Sequence, residues 1–169
     1  MKKLWITVVV LTFIGCTVAI AQLPPIQGIP RGQDPIHPAY RLGLTKQQIV
    51  AFTLLGEARG EGPIGMYAVL CVIEQRAVNR RLQPHQVCLQ KWQFSCWNRG
   101  ATPVPMPILT DTPIGKEAMR LAMLPRFRID RRVTRHADHY FAVGIPAPRW
   151  ASPAKFVIRH GRHMFYKLR

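Results

Sequence analysis

The chain has 169 residues, 48% of them apolar, with 24 Lys and Arg against 8 Asp and Glu and a formal charge of +16 at pH 7. That length leaves room for one compact core and not for two once terminal segments are set aside. A surface so basic seeks a polyanion.

Met1-Lys2-Lys3 supplies a positive start, Leu4 to Ala21 is uncharged and mostly apolar, and Ala19-Ile20-Ala21 precedes Gln22 as an A-x-A cleavage site. This is the pattern of a secretory signal peptide. The same stretch approaches the roughly 20 residues of a membrane span, so a retained or releasable membrane anchor over residues 1–21 is the alternative. Phe13-Ile14-Gly15-Cys16 loosely resembles a lipoprotein signal, with Phe where Leu is usual. Each alternative exports the domain to the periplasm or beyond, where nucleic acid is no longer the polyanion at hand. Peptidoglycan with its peptide carboxylates, lipopolysaccharide and anionic membrane lipid take its place. Residues 22–44 carry Pro24, Pro25, Pro30, Pro35 and Pro38 with Gly28, Gly32 and Gly43 and read as a linker.

The domain is expected over residues 45–169. Thr45 and Gln48 form a capping-box pattern at the start of a helix over 45–58. A second helix over 63–80 follows Pro63, with Met66, Val69, Leu70, Ile73 and Ala77 on its buried face and Glu74, Arg76 and Arg80 mostly outside. Pro84, Pro103, Pro105 and Pro107 then imply a short helix and irregular loops up to residue 112. Trp92, Phe94 and Trp97 suit either sugar faces or the core. A third helix begins after Thr112-Pro113 and ends before Pro125, with Ile114, Ala118, Leu121 and Ala122 as its buried stripe. Residues 137–143 and 156–166 read as strand or loop. Arg126, Arg128, Arg131, Arg132 and Arg135 form either a solvated face or a surface that steers a polymer.

Between the first two helices lies Gly-Glu-Ala-Arg-Gly-Glu-Gly-Pro, residues 56–63, which sets Glu57 and Glu61 one helical turn apart in a chain poor in acids. Gly60, Gly62 and Pro63 break the first helix, which leaves Glu57 at a helix-to-helix corner beside an apolar run. Apolar packing disfavours an ionised carboxyl, which suits a general acid. A surface Glu paired with Arg59 is the plainer alternative.

Four segments decide between them by resemblance: LLGEARGEGPIGMYAVLCVIEQRAVNR (54–80), VCLQKWQFSCWN (87–98), ADHYFA (137–142) and GRHMFYK (161–167). Together and in this order they resemble the SleB-like cell-wall hydrolases, peptidoglycan-cleaving enzymes related to spore-cortex-lytic enzymes. The resemblance implies a mainly α (α+β) lysozyme-like single domain with a small irregular or β portion. It further implies cleavage of the glycosidic bond between N-acetylmuramic acid and N-acetylglucosamine, in a bacterial or phage lysis or wall-remodelling enzyme. Glu57 matches the family's catalytic acid. Glu61, Gln93, Phe94, Ser95, His139 and Tyr140 match positions around the substrate, and Tyr166 either binds sugar, orients Glu57 or lies in the core.

A single evident carboxylate favours lytic transglycosylase chemistry, with a hydrolytic muramidase and an N-acetylmuramoyl-L-alanine amidase as alternatives. A non-catalytic cationic polymer-binding module is the alternative from another class. The expected partner is the peptidoglycan glycan strand, with an anionic membrane or lipopolysaccharide surface in addition, and the expected state a monomer. No cofactor or metal is expected, because His136/His139 and His160/His163 are spaced like ligands but no Cys-x-x-Cys pair accompanies them. Cys88 and Cys96 flank a short loop whose closure by a disulfide would contribute about 2.5 kcal/mol. Cys71, in an apolar run, reads as a small buried hydrophobe.

Overall fold

The computed structural model describes residues 37–98 and 103–169, so the expected signal or anchor and most of the expected linker lie outside the described residues. The last part of that linker belongs to the fold. Pro38–Arg41 forms a short helix, α1, and Ala39 and Leu44 are buried in the core.

Helix α2, Lys46–Ala58, starts at the expected capping box. The Thr45 N–H donates to Gln48 Oε1 at 2.8 Å, and the Gln48 N–H donates to Thr45 Oγ1 at 3.2 Å. One 3-10 turn, Arg59–Glu61, separates it from α3, Gly62–Arg80, which has Pro63 in its first turn. Helices α4, Pro84–Leu89, α5, Met106–Asp111, and α6, Pro113–Ala122, complete the helical part. Within 81–112, Pro84 opens the expected short helix, α4, and Pro107 lies in the first turn of a second one, α5, where only loops were expected. In a first turn the missing N–H has no intrahelical partner to lose.

Strands β1, His139–Ala142, β2, Phe156–His160, and β3, His163–Tyr166, form an antiparallel sheet in the order β1-β3-β2. Its register pairs His139 with Tyr166 and Tyr140 with Phe165. The second extended segment is thus a hairpin, and its weak alternation has a cause. A register shift between Phe156 and Ile158 adds a residue to β2 and puts its two ends out of phase.

Helix α3 is packed on two sides. Met66, Leu70 and Ile73 join Phe52, Leu54, Leu55, Val87, Leu109 and Leu121 among the helices, while Ala68 and Val72 meet Ala137 and Phe165 of the sheet side. Two side chains expected outside are therefore inside: Glu74 and Arg76 are 4% and 6% exposed. Each carries its own partners. Arg126 Nε donates to Glu74 at 2.7 Å, and Arg76 Nε donates to the Asp138 carbonyl at 2.6 Å. Arg80 is half-buried and donates to Gln93 Oε1 at 2.7 Å.

Cys71, Cys88 and Cys96 are free thiols, so the disulfide expected between Cys88 and Cys96 is absent. Cys88 is buried on α4, whereas Cys96 sits beside Gly56 and Glu57 at the end of α2. Burial pushes the Cys71 and Cys88 thiols up to about 12, and burial followed by the Glu57 carboxylate pushes Cys96 up as well. The thiolate is the reactive form. Iodoacetamide at pH 7 is therefore expected to leave these three cysteines unlabelled in the native protein and to label all three in guanidinium without reductant. A pair that labels only after reduction would show that Cys88 and Cys96 are bridged.

Candidate functional site

Glu57 lies in the last turn of α2 and is half-buried. Two groups distant in sequence hold its carboxylate. The Tyr140 hydroxyl donates to Oε2 at 2.9 Å, and the Cys96 backbone N–H donates to Oε1 at 3.3 Å. Gly56 makes the second contact feasible, since a Cβ there would lie 2.6 Å from the Cβ of Cys96. Burial first, and then the Glu57 carboxylate, raise the Tyr140 hydroxyl well above its ordinary value. It remains a phenol near neutral pH and acts as a donor to Glu57.

The other described acids are engaged differently. Glu74, Glu117 and Asp130 are paired to Arg126, Arg120 and Arg132 at 2.7, 2.6 and 2.8 Å. Asp138 is 2% exposed and accepts from the Leu168 N–H at 2.8 Å, and it pairs with His139 Nδ1 at 2.9 Å. Asp111 is exposed at the end of α5. Glu61 Oε2 accepts the Arg162 N–H at 2.9 Å. A hollow of about 300 Å³ lies elsewhere, lined by Val50, Leu70, His85 and Met123, and its only acid is the paired Glu74. Among the described residues, Glu57 is the carboxylate held by a phenol and a backbone amide with no cation paired to it.

A conserved-domain description, Cell Wall Hydrolase, matches residues 60–166. The chain belongs to the Cell Wall Hydrolase family. Membership carries the coarse activity, degradation of peptidoglycan, on a mainly helical fold with a small three-stranded sheet. The match starts at Gly60, so Glu57 lies just before it and its role rests on geometry and on the motif in which it stands. No curated protein and no solved structure matches the chain.

In this cell-wall hydrolase the residues singled out by sequence divide between two faces of the sheet, because successive strand residues point to opposite sides. Tyr140 faces Glu57, with its ring 4.9 Å from that of His163 and 5.6 Å from that of Phe165. His139 and Tyr166 lie on the other face with Phe141 and Trp150. The His139 ring is 5.0 Å from Trp150, and Tyr166 is buried and stacked on Phe141 at 5.6 Å. Tyr166 is therefore a core aromatic and does not orient Glu57. Burial lowers the His139 pKa, while its bond to Asp138 acts the other way.

In the 87–98 segment, Gln93 is tied to Arg80, and Phe94 is buried under the Arg76 guanidinium at 5.1 Å. Ser95 alone of that trio is exposed, one residue before the amide that holds Glu57. Trp97 is also core, with its Nε1–H donating to Thr53 at 2.9 Å. Trp92 is 72% exposed and has φ 64, a left-handed conformation rare for so bulky a residue. Sequence reasoning missed the Cys96 amide and the Gly161-Arg162 turn, since both act through backbone.

Proposed function

We propose that this cell-wall hydrolase cleaves the β-1,4 bond between N-acetylmuramic acid and N-acetylglucosamine as a lytic transglycosylase, with Glu57 as its acid and then its base. The observation that carries this is the Glu57 carboxylate itself. It is held by Tyr140 and Cys96 without a cationic partner, while the remaining described acids are paired, pinned to backbone, buried or, for Asp111, exposed on another helix.

Protonated Glu57 gives its proton to the bridging oxygen as the bond from that oxygen to muramic acid C1 breaks. The carboxylate then takes the proton of the 6-hydroxyl as O6 closes on C1, so the proton is returned and no water is consumed. Ordinary glycoside hydrolysis uses two carboxylates on opposite sides of the bond, and the carboxylate nearest in sequence, Glu61, is already bonded to the Arg162 amide. Ser95 and the exposed Trp92 ring, with Lys91 and Asn98, are the exposed side chains of the 87–98 segment available to a sugar. The SleB-like motif order supports the same chemistry, and we place the enzyme outside the cytoplasm, where its polymer lies.

Mass spectrometry of digested muropeptides tests the mechanism. The expected product carries a 1,6-anhydro end, about 18 Da lighter than the reducing end that the two-carboxylate hydrolytic route leaves. Reducing ends alone would establish a muramidase, and free stem peptides, with release blocked by EDTA, an amidase. No clearing of purified peptidoglycan in any buffer would leave a binding module.

A further inference from the structure

Given Glu57 as the catalytic acid, we infer that Glu61 is a positioning residue: its carboxylate clamps the β2–β3 turn to the helix corner and thereby holds Tyr140 on Glu57. It does not bind sugar. Glu61 closes the turn between α2 and α3, and its Oε2 accepts the N–H of Arg162, 101 residues away in sequence, at 2.9 Å. The preceding residue, Gly161, has φ +53, and a Cβ there would lie 2.0 Å from the same oxygen. A side chain at 161 is thus excluded twice, by the left-handed backbone and by the carboxylate seated against it. Gly65 makes the matching allowance on α3, since its Cβ would lie 2.2 Å from that of Glu61.

From Arg162 the chain enters β3 directly. His163 pairs with Ala142 and Phe165 with Tyr140, and both rings back the Tyr140 ring whose hydroxyl reaches Glu57. His163 is 6% exposed, and its Nδ1 is the one buried side-chain nitrogen or oxygen without a hydrogen-bond partner among the described residues. Packing, and the strand that carries it, therefore place that ring. A clamp at the start of β3 is what keeps the strand, and Tyr140 with it, in position.

Kinetics on soluble glycan strands and amide exchange test this together. Glu61→Ala should lower kcat about tenfold with KM within about twofold, the size of a lost hydrogen bond to a charged acceptor. Glu61→Gln keeps an acceptor oxygen and should restore kcat to within about threefold of wild type. Glu61→Asp keeps the charge but withdraws it from Arg162, so it should behave like Glu61→Ala and serves where that variant fails to fold.

In a Tyr140→Phe background, Glu61→Ala should cost nothing further, since both changes remove one linkage. A raised KM, or losses that multiply in the double variant, would mean that Glu61 touches substrate and would overturn the inference. Exchange of the Arg162 amide should quicken in Glu61→Ala and stay slow in Glu61→Gln. Unchanged exchange in Glu61→Ala removes the clamp whatever the activity. Full activity of Glu57→Gln, by contrast, sinks the acid assignment and leaves the exchange result standing.

Discussion

Glu57→Gln is expected to lower peptidoglycan cleavage by on the order of 10³-fold, the range of a lost general acid, with an unchanged circular dichroism spectrum. The amide oxygen can still accept from the Cys96 N–H, and the amide NH2 can donate to the Tyr140 hydroxyl oxygen, so the corner keeps two hydrogen bonds with the Tyr140 one reversed. The amide has no acidic proton to deliver. No salt bridge is broken either, because no cation is paired to Glu57. Tyr140→Phe keeps the ring against His163 and Phe165 and removes only the donor, so it should cost about tenfold. The rates of Glu57→Gln and Glu61→Gln should rank in that order, the first slower. A reversed order with both proteins folded would show that the second Glu of the motif is the acid.

The corner was legible in the sequence because its parts are local. Thr45 and Gln48 mark where α2 begins, Gly62 and Pro63 mark where α3 begins, and Glu57 lies between them in a chain with few acids. What holds the carboxylate was not legible in the same way. The Cys96 amide and the Arg162 amide are backbone groups, which no residue type announces. Likewise His139 and Tyr140 are neighbours in one motif, yet the strand sends them to opposite faces, and only Tyr140 reaches Glu57. The periodicity of α3 misled for another reason. A helix packed by helices on one side and a sheet on the other has no solvent face along its middle, so Glu74 and Arg76 had to be buried with partners.

Arg76 is the side chain whose removal should cost the most stability. It is 6% exposed, donates from Nε to the Asp138 carbonyl at 2.6 Å and from Nη1 to the Gln93 carbonyl at 3.4 Å, and stands over the Phe94 ring. Burial lowers its pKa from the ordinary arginine value, a sign of the desolvation that its hydrogen bonds must offset. Arg76→Ala leaves two carbonyls without a donor and opens a cavity, for about 3 kcal/mol of lost stability. In a domain of this size that is about 10 °C in Tm by calorimetry. Arg76→Met fills the volume and removes the buried charge, so it should lose about half as much. Lysine is no substitute, because one ammonium cannot reproduce the planar fork.

The same change should reduce activity in protein that remains folded. Arg76 joins the 93–94 segment to the start of β1, and these two segments deliver the Cys96 amide and the Tyr140 hydroxyl to Glu57. With the brace gone they are free to move apart, and kcat should fall with the loss of Tyr140 as donor. A Tm for Arg76→Ala within about 3 °C of wild type, near 1 kcal/mol, would show that the guanidinium is not the brace.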